Sequence, residues 1–326
     1  MDVSVLRPNS AIPSTGHRIE VSIRGKWLSV PALEAFDQTI AVTGRWIKIA
    51  ALHDEAWMKT EVVNPEGCIE SIRKQNHIAR ADIFSFAQKV PSIAPRYQYP
   101  MEFESIAVAR TGSFKDWWVG LPQESRKNVR RSQKRGVVIS QQEFNDELIR
   151  GITEVQNECP IRQGRPYTHY GKTFEQVRKD HSAFIDRSDF ICASFDGKLI
   201  GFLKLVYRGE IASILQLNSM LAHYDKRPSN ALLAKAVELC GARGVAYLIY
   251  GGFNYGKKGN SSIREFKTRN GFEEMLVPRF YVPLTTWGGL CVRARLYRGP
   301  HEILPHNVIA AFLAARAKWY ALMKRT

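Results

Sequence analysis

The chain has 326 residues, enough for two domains of ordinary size or one composite domain. With 44% hydrophobic and 24% charged residues the composition is globular, which excludes a disordered chain. Lysine and arginine number 47 against 31 aspartates and glutamates, and the resulting charge of +16 favours polyanionic partners: nucleic acid, phosphate-rich ligands or an anionic membrane surface.

Residues 1–18 are rich in Pro and Ser and read as a loose arm. Ile19–Val30 alternates apolar and polar residues about Arg24-Gly25-Lys26, which predicts two short strands around a turn. Ala32–Ala41 is expected to be helical. Gly44–Leu52 reads as a strand and Glu55–Val63 as a short helix. Pro65–Arg73 reads as a helix that Asn64 caps and Pro65 opens. Ala81–Phe86 and Phe103–Ala109 read as strands, separated by an extended, proline-bearing connector over Val90–Pro100. This alternation predicts an α/β unit with a mixed sheet over residues 19–112.

A helix capped by Ser113 is expected next, with Asp116 three residues on. Pro122 then opens a helix bearing Arg126, Lys127, Arg130, Arg131, Lys134 and Arg135. Gly136 ends it, and a strand follows over Val137–Ser140. A helix over Asn145–Cys159 leads to the loop Pro160–Gly171, and another helix runs from Thr173 to Ile185. Phe190–Phe195 and Lys198–Tyr207 form a hairpin across Asp196-Gly197. Glu210–Met220 is a third strand. Ser229–Arg243 is a helix whose apolar residues Leu232, Leu233, Ala236, Val237 and Cys240 fall on a 3.6-residue period. Tyr247–Tyr250 is a short buried strand, Ser261–Arg269 a helix broken by Gly271, and Phe280–Leu284 the last strand.

Residues 285–326 differ in character. They carry Arg293, Arg295, Arg298, Arg316, Lys318, Lys324 and Arg325 against the single acid Glu302. Val308–Met323 is expected to be a helix, apolar on one face and basic on the other, which suits docking onto the domain or contact with a membrane surface or nucleic acid.

Three segments span about residues 113–284. The first runs from Trp117-Trp118 through Arg126-Lys-Asn-Val-Arg130 to Lys134-Arg-Gly-Val137. The second is Asp196-Gly-Lys-Leu-Ile-Gly201, and the third is Phe266-Lys267 followed by Gly271-Phe272. In this order they resemble the FemAB-like branch of the GNAT (acyl-CoA N-acyltransferase) superfamily. The resemblance implies an α/β (α+β) GNAT-like fold of two GNAT-like units with mixed central sheets. Residues 19–112 would form one unit and 113–284 the acyltransferase domain, with 285–326 as a basic extension. It implies acyl or aminoacyl transfer to an amine or hydroxyl, with an acyl-CoA or aminoacyl-tRNA co-substrate. A small molecule, peptide, sugar or cell-envelope (glycan) precursor would be the acceptor. The sequence departs from the CoA-using pattern at Arg227-Pro-Ser-Asn-Ala-Leu232, where glycines would let backbone N–H groups reach phosphates. Asn230 and Leu232 stand in the small-residue positions and Pro228 lacks a donor, which favours aminoacyl-tRNA.

Lys267, with Phe266 shaping the slot, is by resemblance the cation near the reacting carbonyl or the donor phosphate; a surface lysine at a helix end is the alternative. The loop from Glu158 to Lys172 is dense in donors. Arg162 and Arg165 are candidates for a bidentate clamp on phosphate or carboxylate, His169 and Glu158 for proton transfer, and Tyr170 and Lys172 for substrate contact. A solvated polar loop is the alternative. Asn254 and Tyr255 are candidates for orienting the acceptor, and Arg227 with Asn230 for contacting the donor phosphate.

No bound cofactor and no metal site are expected, since none of the eight histidines falls in a metal-binding spacing. Cys68, Cys159, Cys192, Cys240 and Cys291 are odd in number and widely spaced, as reduced thiols would be. No leader peptide or apolar run of membrane length is visible, so a cytoplasmic protein is expected, with peripheral contact at the inner membrane surface left open. The competing reading is a non-catalytic basic protein on the same fold that binds RNA or an anionic surface.

Overall fold

The computed structural model describes residues 17–23, 25–36, 38–55, 61–162, 164–254 and 262–298, the side chain of Arg165 excepted. The chain divides into two compact units. Of the described residues, one comprises those from His17 to His53, Val62–Phe86 and Phe280–Arg298; the other comprises those of Asp54–Glu61 and of Ala87–Arg279. The arm up to residue 16, residues 56–60 of the expected Glu55–Val63 helix, Tyr255 and the Val308–Met323 helix lie outside the described residues.

In the first unit β1 (Arg18–Ile23) pairs antiparallel with β2 (Lys26–Ala35) across Gly25, whose φ is +77°. The strands β3 (Gln38–Thr43) and β4 (Ile49–Leu52) continue the antiparallel series. Helix α1 (Pro65–Lys74) then carries the chain to β5 (Ile83–Ala87), parallel to β4. Asn64 caps α1 by accepting from the Gly67 N–H at 2.9 Å, and Cys68, Ile69 and Ile72 face inward. The helix expected over Ala32–Ala41 is instead the β2–β3 hairpin, with Ala32 opposite Ala41 and Leu33 opposite Ile40. Ala32, Leu33, Glu34 and Ala35 are good helix formers, but strand pairing with the β-branched Thr39–Thr43 run overrides propensity, and Phe36 turns the chain at φ +48°. Of the expected Glu55–Val63 helix, Glu55 lies in a turn and residues 61–63 are not helical.

The second unit follows in chain order: β6 (Met101–Arg110), α2 (Phe114–Gly120), α3 (Gln123–Lys134), β7 (Val138–Gln142) and α4 (Asp146–Asn157). A two-residue ladder, β8 (Ile161–Arg162) with β9 (Arg165–Pro166), precedes α5 (Phe174–His181), β10 (Ser188–Phe195), β11 (Lys198–Arg208) and β12 (Ile211–Ser219). Then come α6 (Pro228–Ala242), β13 (Tyr247–Gly252), α7 (Ser262–Arg269) and β14 (Glu273–Pro283). Its strands are ordered β14-β6-β13-β12-β11-β10-β7. Ser113, Asn145 and Thr173 each accept a first-turn N–H, fixing where α2, α4 and α5 begin. Asp196 and Gly197, both with positive φ, make the tight β10–β11 turn.

Period-two alternation sends the two faces of these strands to different helices. Ile191, Ala193, Leu203 and Leu205 join Leu233, Val237 and Cys240 of α6 in one cluster. Phe190, Cys192 and Phe202 join Ile149, Ile152 and Val155 of α4 in another. With both faces covered, β11 is buried continuously from Ile200 to Val206. Helix α8 (Thr286–Arg293) belongs to the first unit. All five cysteines are free thiols, Cys159 half-buried and the others buried. No helix among the described residues is long and apolar enough to cross a membrane.

Candidate active site

The second unit opens between two parallel strands. β12 pairs with β13 only over Ile211–Ser213 opposite Tyr247–Ile249. On its other side β12 is bulged: Lys204 faces Gln216 and Leu205 faces Ile214, so Leu215 is the extra residue. Beyond this point Leu217, Asn218 and Ser219 line a cleft of about 740 Å³. Its remaining walls come from Ser125 and Asn128 of α3, Tyr167 and Thr168 of the loop after β9, the start of α6, Tyr250, and Phe266 and Asn270 at the end of α7.

Lys267 stands behind this wall, not in it. It is fully buried, and its Nζ donates to the carbonyls of Tyr250 (2.5 Å) and Gly252 (2.7 Å) while lying 4.4 Å from the centre of the Tyr250 ring. Burial lowers its pKa to about 8. The α7 end is tied down further. The Asn270 side chain donates to the Phe266 carbonyl at 2.7 Å and accepts from Asn230 at 2.9 Å, and Trp117 Nε1 donates to the Asn270 carbonyl at 3.2 Å. Gly271 follows at φ +80°, where an added Cβ would come within 2.7 Å of Trp117 Nε1.

The bidentate clamp expected of Arg162 is not available. Its two terminal nitrogens donate to the carbonyls of Ser219 and Val155, both at 3.0 Å, and its charge faces Glu158 at 3.5 Å. What Arg162 does is stitch the loop to the end of β12 and lie over the Tyr167 ring, 4.5 Å from its centre. Glu158 is likewise engaged, accepting from the N–H groups of Leu221 and Ala222, both at 2.7 Å. Lys172 pairs with Asp180, and His169 Nδ1 lies 4.0 Å from the same carboxylate. The His169 pKa is lowered, by burial first and the Lys172 charge second. Tyr170 is exposed, and Asn254 donates to Glu274 (2.6 Å) and Ser105 (3.2 Å). None of Glu158, His169, Tyr170, Lys172 and Asn254 lines the cleft.

Arg227 and Asn230 do line it. Arg227 has φ +57° and lies over the Tyr224 ring at 4.9 Å. At the start of α6, Pro228 has no N–H, and the Asn230 N–H turns back to the Arg227 carbonyl at 3.2 Å. At this turn Pro228 offers no N–H to a phosphate and that of Asn230 is already used.

Sequence reasoning did not single out Tyr167. It lines the cleft half-buried under Arg162, beside the His169 ring at 5.4 Å, with its hydroxyl buried near the amides of Gln216 and Asn218 but in good hydrogen-bond geometry with neither. Burial pushes its pKa up to about 12. Behind it a polar chain runs inward. Gln156 Nε2 lies 3.5 Å from Gln216 Oε1 and 3.3 Å from His181 Nε2. The main chain at His181 and Ala183 accepts from Lys204 Nζ at 2.7 and 2.5 Å. Burial, then the Lys204 charge, holds the His181 pKa at about 3, and burial brings Lys204 down to about 8. Lys204 carried a legible signal: a single lysine inside the apolar run Phe202–Tyr207 of a strand buried on both faces. Among the described residues no group of His, Cys, Asp and Glu is placed to hold a metal ion.

No protein-family model matches the chain, and no curated protein does. Solved structures do. The C-terminal domain of an Agrobacterium fabrum protein named as a lysylphosphatidylglycerol synthetase aligns with a TM-score of 0.54 at 12% identity, covering 82% of this chain and 88% of that one. L-PGS from Bacillus licheniformis gives 0.53 at 12%, with the same coverages of 82% and 88%. FemX gives 0.52 at 11%, covering 85% of this chain and 90% of that one. The fold is GNAT-like and shared with these structures, the fold that the motifs at Trp117, Asp196 and Phe266 led one to expect.

Proposed function

We propose that the cleft of the second unit is an acyltransferase site, moving an acyl or aminoacyl group onto an amine or hydroxyl acceptor. The observation that carries the reading is the parting of β12 and β13 after Ser213 and Ile249, where a bulged strand turns its backbone edge toward the cleft. Backbone N–H groups fixed on such an edge suit the oxyanion that forms when a nucleophile adds to a carbonyl.

In this reading the acceptor nitrogen or oxygen attacks the donor carbonyl, forming the new bond, and the tetrahedral intermediate collapses by expelling the donor's oxygen or sulfur. The proton lost by the acceptor reaches the leaving atom through the Tyr167 hydroxyl, which gives one proton as it takes the other. A phenol whose pKa is pushed up to about 12 stays protonated at neutral pH and suits that relay. Arg227 and Asn128 supply polar contacts to the substrates.

Aminoacyl-tRNA is the donor this reading favours over acyl-CoA, because at the start of α6 Pro228 has no N–H and that of Asn230 is turned back to Arg227. The exposed cations Lys127, Arg130 and Lys134, at i, i+3 and i+7 on α3, would meet its phosphates. One of the similar structures is named for lysylphosphatidylglycerol synthesis, which supports an aminoacylated product. A cell-envelope or sugar precursor or a lipid is the acceptor class. The α3 stripe also supports the non-catalytic reading, in which the protein binds RNA and transfers nothing.

The two readings part at Tyr167→Phe. Removing one hydroxyl is expected to lower kcat by about a hundredfold with KM and RNA affinity held. Unchanged kcat would remove Tyr167 from the chemistry, and absence of transfer in the unaltered protein would favour the binding protein.

A further inference from the structure

The first unit holds two tryptophans in solvent. Trp46, at the bend between β3 and β4, is 84% exposed; Trp287, in the first turn of α8, is 40% exposed; Leu290, one turn further, is 55% exposed. Large apolar side chains favour burial by a few kcal/mol each, so what holds them outward matters.

A polar scaffold does so. Trp287 Nε1 donates to the Trp46 carbonyl at 3.2 Å. Beneath them sits the buried carboxylate of Asp82, which accepts from the Lys48 N–H at 2.9 Å and the Thr285 hydroxyl at 3.0 Å. The Asp82 carbonyl accepts from the Leu284 N–H at 2.9 Å, and Thr285 caps α8 by accepting from the Gly288 N–H at 2.9 Å. Gly288 approaches so closely that a Cβ there would lie 1.9 Å from the Asp82 carbonyl oxygen. The bend and the start of α8 are thus stapled to one buried residue, and Trp46, Trp287 and Leu290 stand on one platform.

Apart from the buried Asp82, the two segments that meet here carry charge of one sign. Gly44–Lys48 contributes Arg45 and Lys48, Thr285–Arg298 contributes Arg293, Arg295 and Arg298, and neither segment contains an acid. Arg80 adds a further cation 3.7 Å from Asp82. Indoles settle at the headgroup level of a bilayer, a leucine reaches the acyl boundary, and cations meet lipid phosphates. Nucleic acid would use the rings and the cations but gains nothing from an exposed leucine. We propose that this face of the first unit docks on the surface of an anionic phospholipid membrane. This face belongs to the first unit alone and is independent of whether the cleft of the second is a transferase site.

Co-sedimentation of the full chain with vesicles tests this, comparing phosphatidylcholine alone with phosphatidylcholine containing about one-third phosphatidylglycerol. Binding to the anionic vesicles only, released by high salt, is expected. Two double variants, Trp46→Ala with Trp287→Ala and Arg45→Glu with Arg293→Glu, should each weaken partitioning about tenfold or more. Circular dichroism reports folding. The charge pair makes no hydrogen bond described above, so it decides the matter if the tryptophan pair does not fold. Failure of the unaltered chain to bind anionic vesicles overturns the proposal, as does unchanged binding by both variants. So does loss of binding to a single-stranded RNA probe with vesicle binding unchanged, which would assign the face to nucleic acid. A variant-induced change in sedimentation-equilibrium mass without vesicle binding would assign it to a second copy. New protease cleavage beyond residue 298 without vesicle binding would assign it to the chain's own C-terminal segment.

Discussion

Replacing Lys267 by methionine removes a buried cation while keeping its length. The ammonium is fully enclosed and donates to the Tyr250 and Gly252 carbonyls at 2.5 and 2.7 Å. Methionine restores the methylene packing but leaves both carbonyls without this donor, at about 1–3 kcal/mol each. Against that, the variant no longer buries a charge: burial brings the Lys267 pKa from 10.5 to about 8, worth about 3 kcal/mol at neutral pH. The two effects offset in part, and urea unfolding at pH 7 should show a net loss of about 1–2 kcal/mol. The pH dependence is the sharper readout. Between pH 8 and 10.5 the unfolded chain keeps the Lys267 proton while the folded chain has released it. The unfolded state therefore binds more protons, and the unaltered protein gains stability as pH rises, by up to about 1.4 kcal/mol per pH unit. The variant lacks this gain, so its deficit should widen by about 3 kcal/mol toward pH 10.5. Comparison of the two proteins matters because Lys89 and Lys204, both lowered to about 8, and Cys192 and Cys240, both raised to about 12, titrate in each and cancel. A deficit that stays constant from pH 7 to 10.5, or no deficit at all, refutes the buried-brace account.

Glu158→Ala should cost about 2 kcal/mol in chemical denaturation and speed amide exchange at Leu221 and Ala222, whose N–H groups it holds; unchanged exchange there would contradict the role. Gly288→Ala should destabilise by about 3 kcal/mol or more, since its Cβ would meet a main-chain oxygen at 1.9 Å; a loss below about 0.5 kcal/mol would show that α8 shifts freely. His181, with its folded pKa near 3, stays neutral while its unfolded form takes a proton near 6.5. Stability from this group is therefore lost as pH falls below 6.5, by about 1.4 kcal/mol per unit, and His181→Gln should flatten that limb of the stability profile; an unchanged acid limb would contradict the assignment.

Much of the second unit was legible because its signals are local. Ser113, Asn145 and Thr173 stand where side-chain caps form, Asp196-Gly197 where only a tight turn fits, and α6 shows its period openly. The first unit was less so: Ala32–Ala35 favours helix in isolation and becomes strand only because residues 38–43 pair with it. β14 begins at Glu273, earlier than the expected Phe280, because the exposed Glu273 and Glu274 hide a strand from a hydrophobicity reading. The loop after Glu158 is rich in polar groups in the sequence, but their partners come from afar. Arg162 reaches Ser219 and Val155, Glu158 reaches Leu221, and Tyr167 meets Gln216 and Asn218 of β12. No spacing along the chain announces which donors are consumed by the main chain and which are left for a ligand. Lys267 illustrates the point, since the motif marked its position while only the fold reveals that its ammonium faces two carbonyls.

The most direct measurement is transfer itself. Purified protein would be incubated with isotopically labelled aminoacyl-tRNA or with labelled acyl-CoA, together with amine- and hydroxyl-bearing envelope precursors and lipids, and the label followed into product. The account predicts product from the aminoacyl-tRNA mixture, little or none from acyl-CoA, and about a hundredfold slower transfer by Tyr167→Phe. Efficient transfer from acyl-CoA would overturn the donor assignment. No product from either donor, in a protein that still binds RNA, would contradict the claim that this cleft is a transferase site.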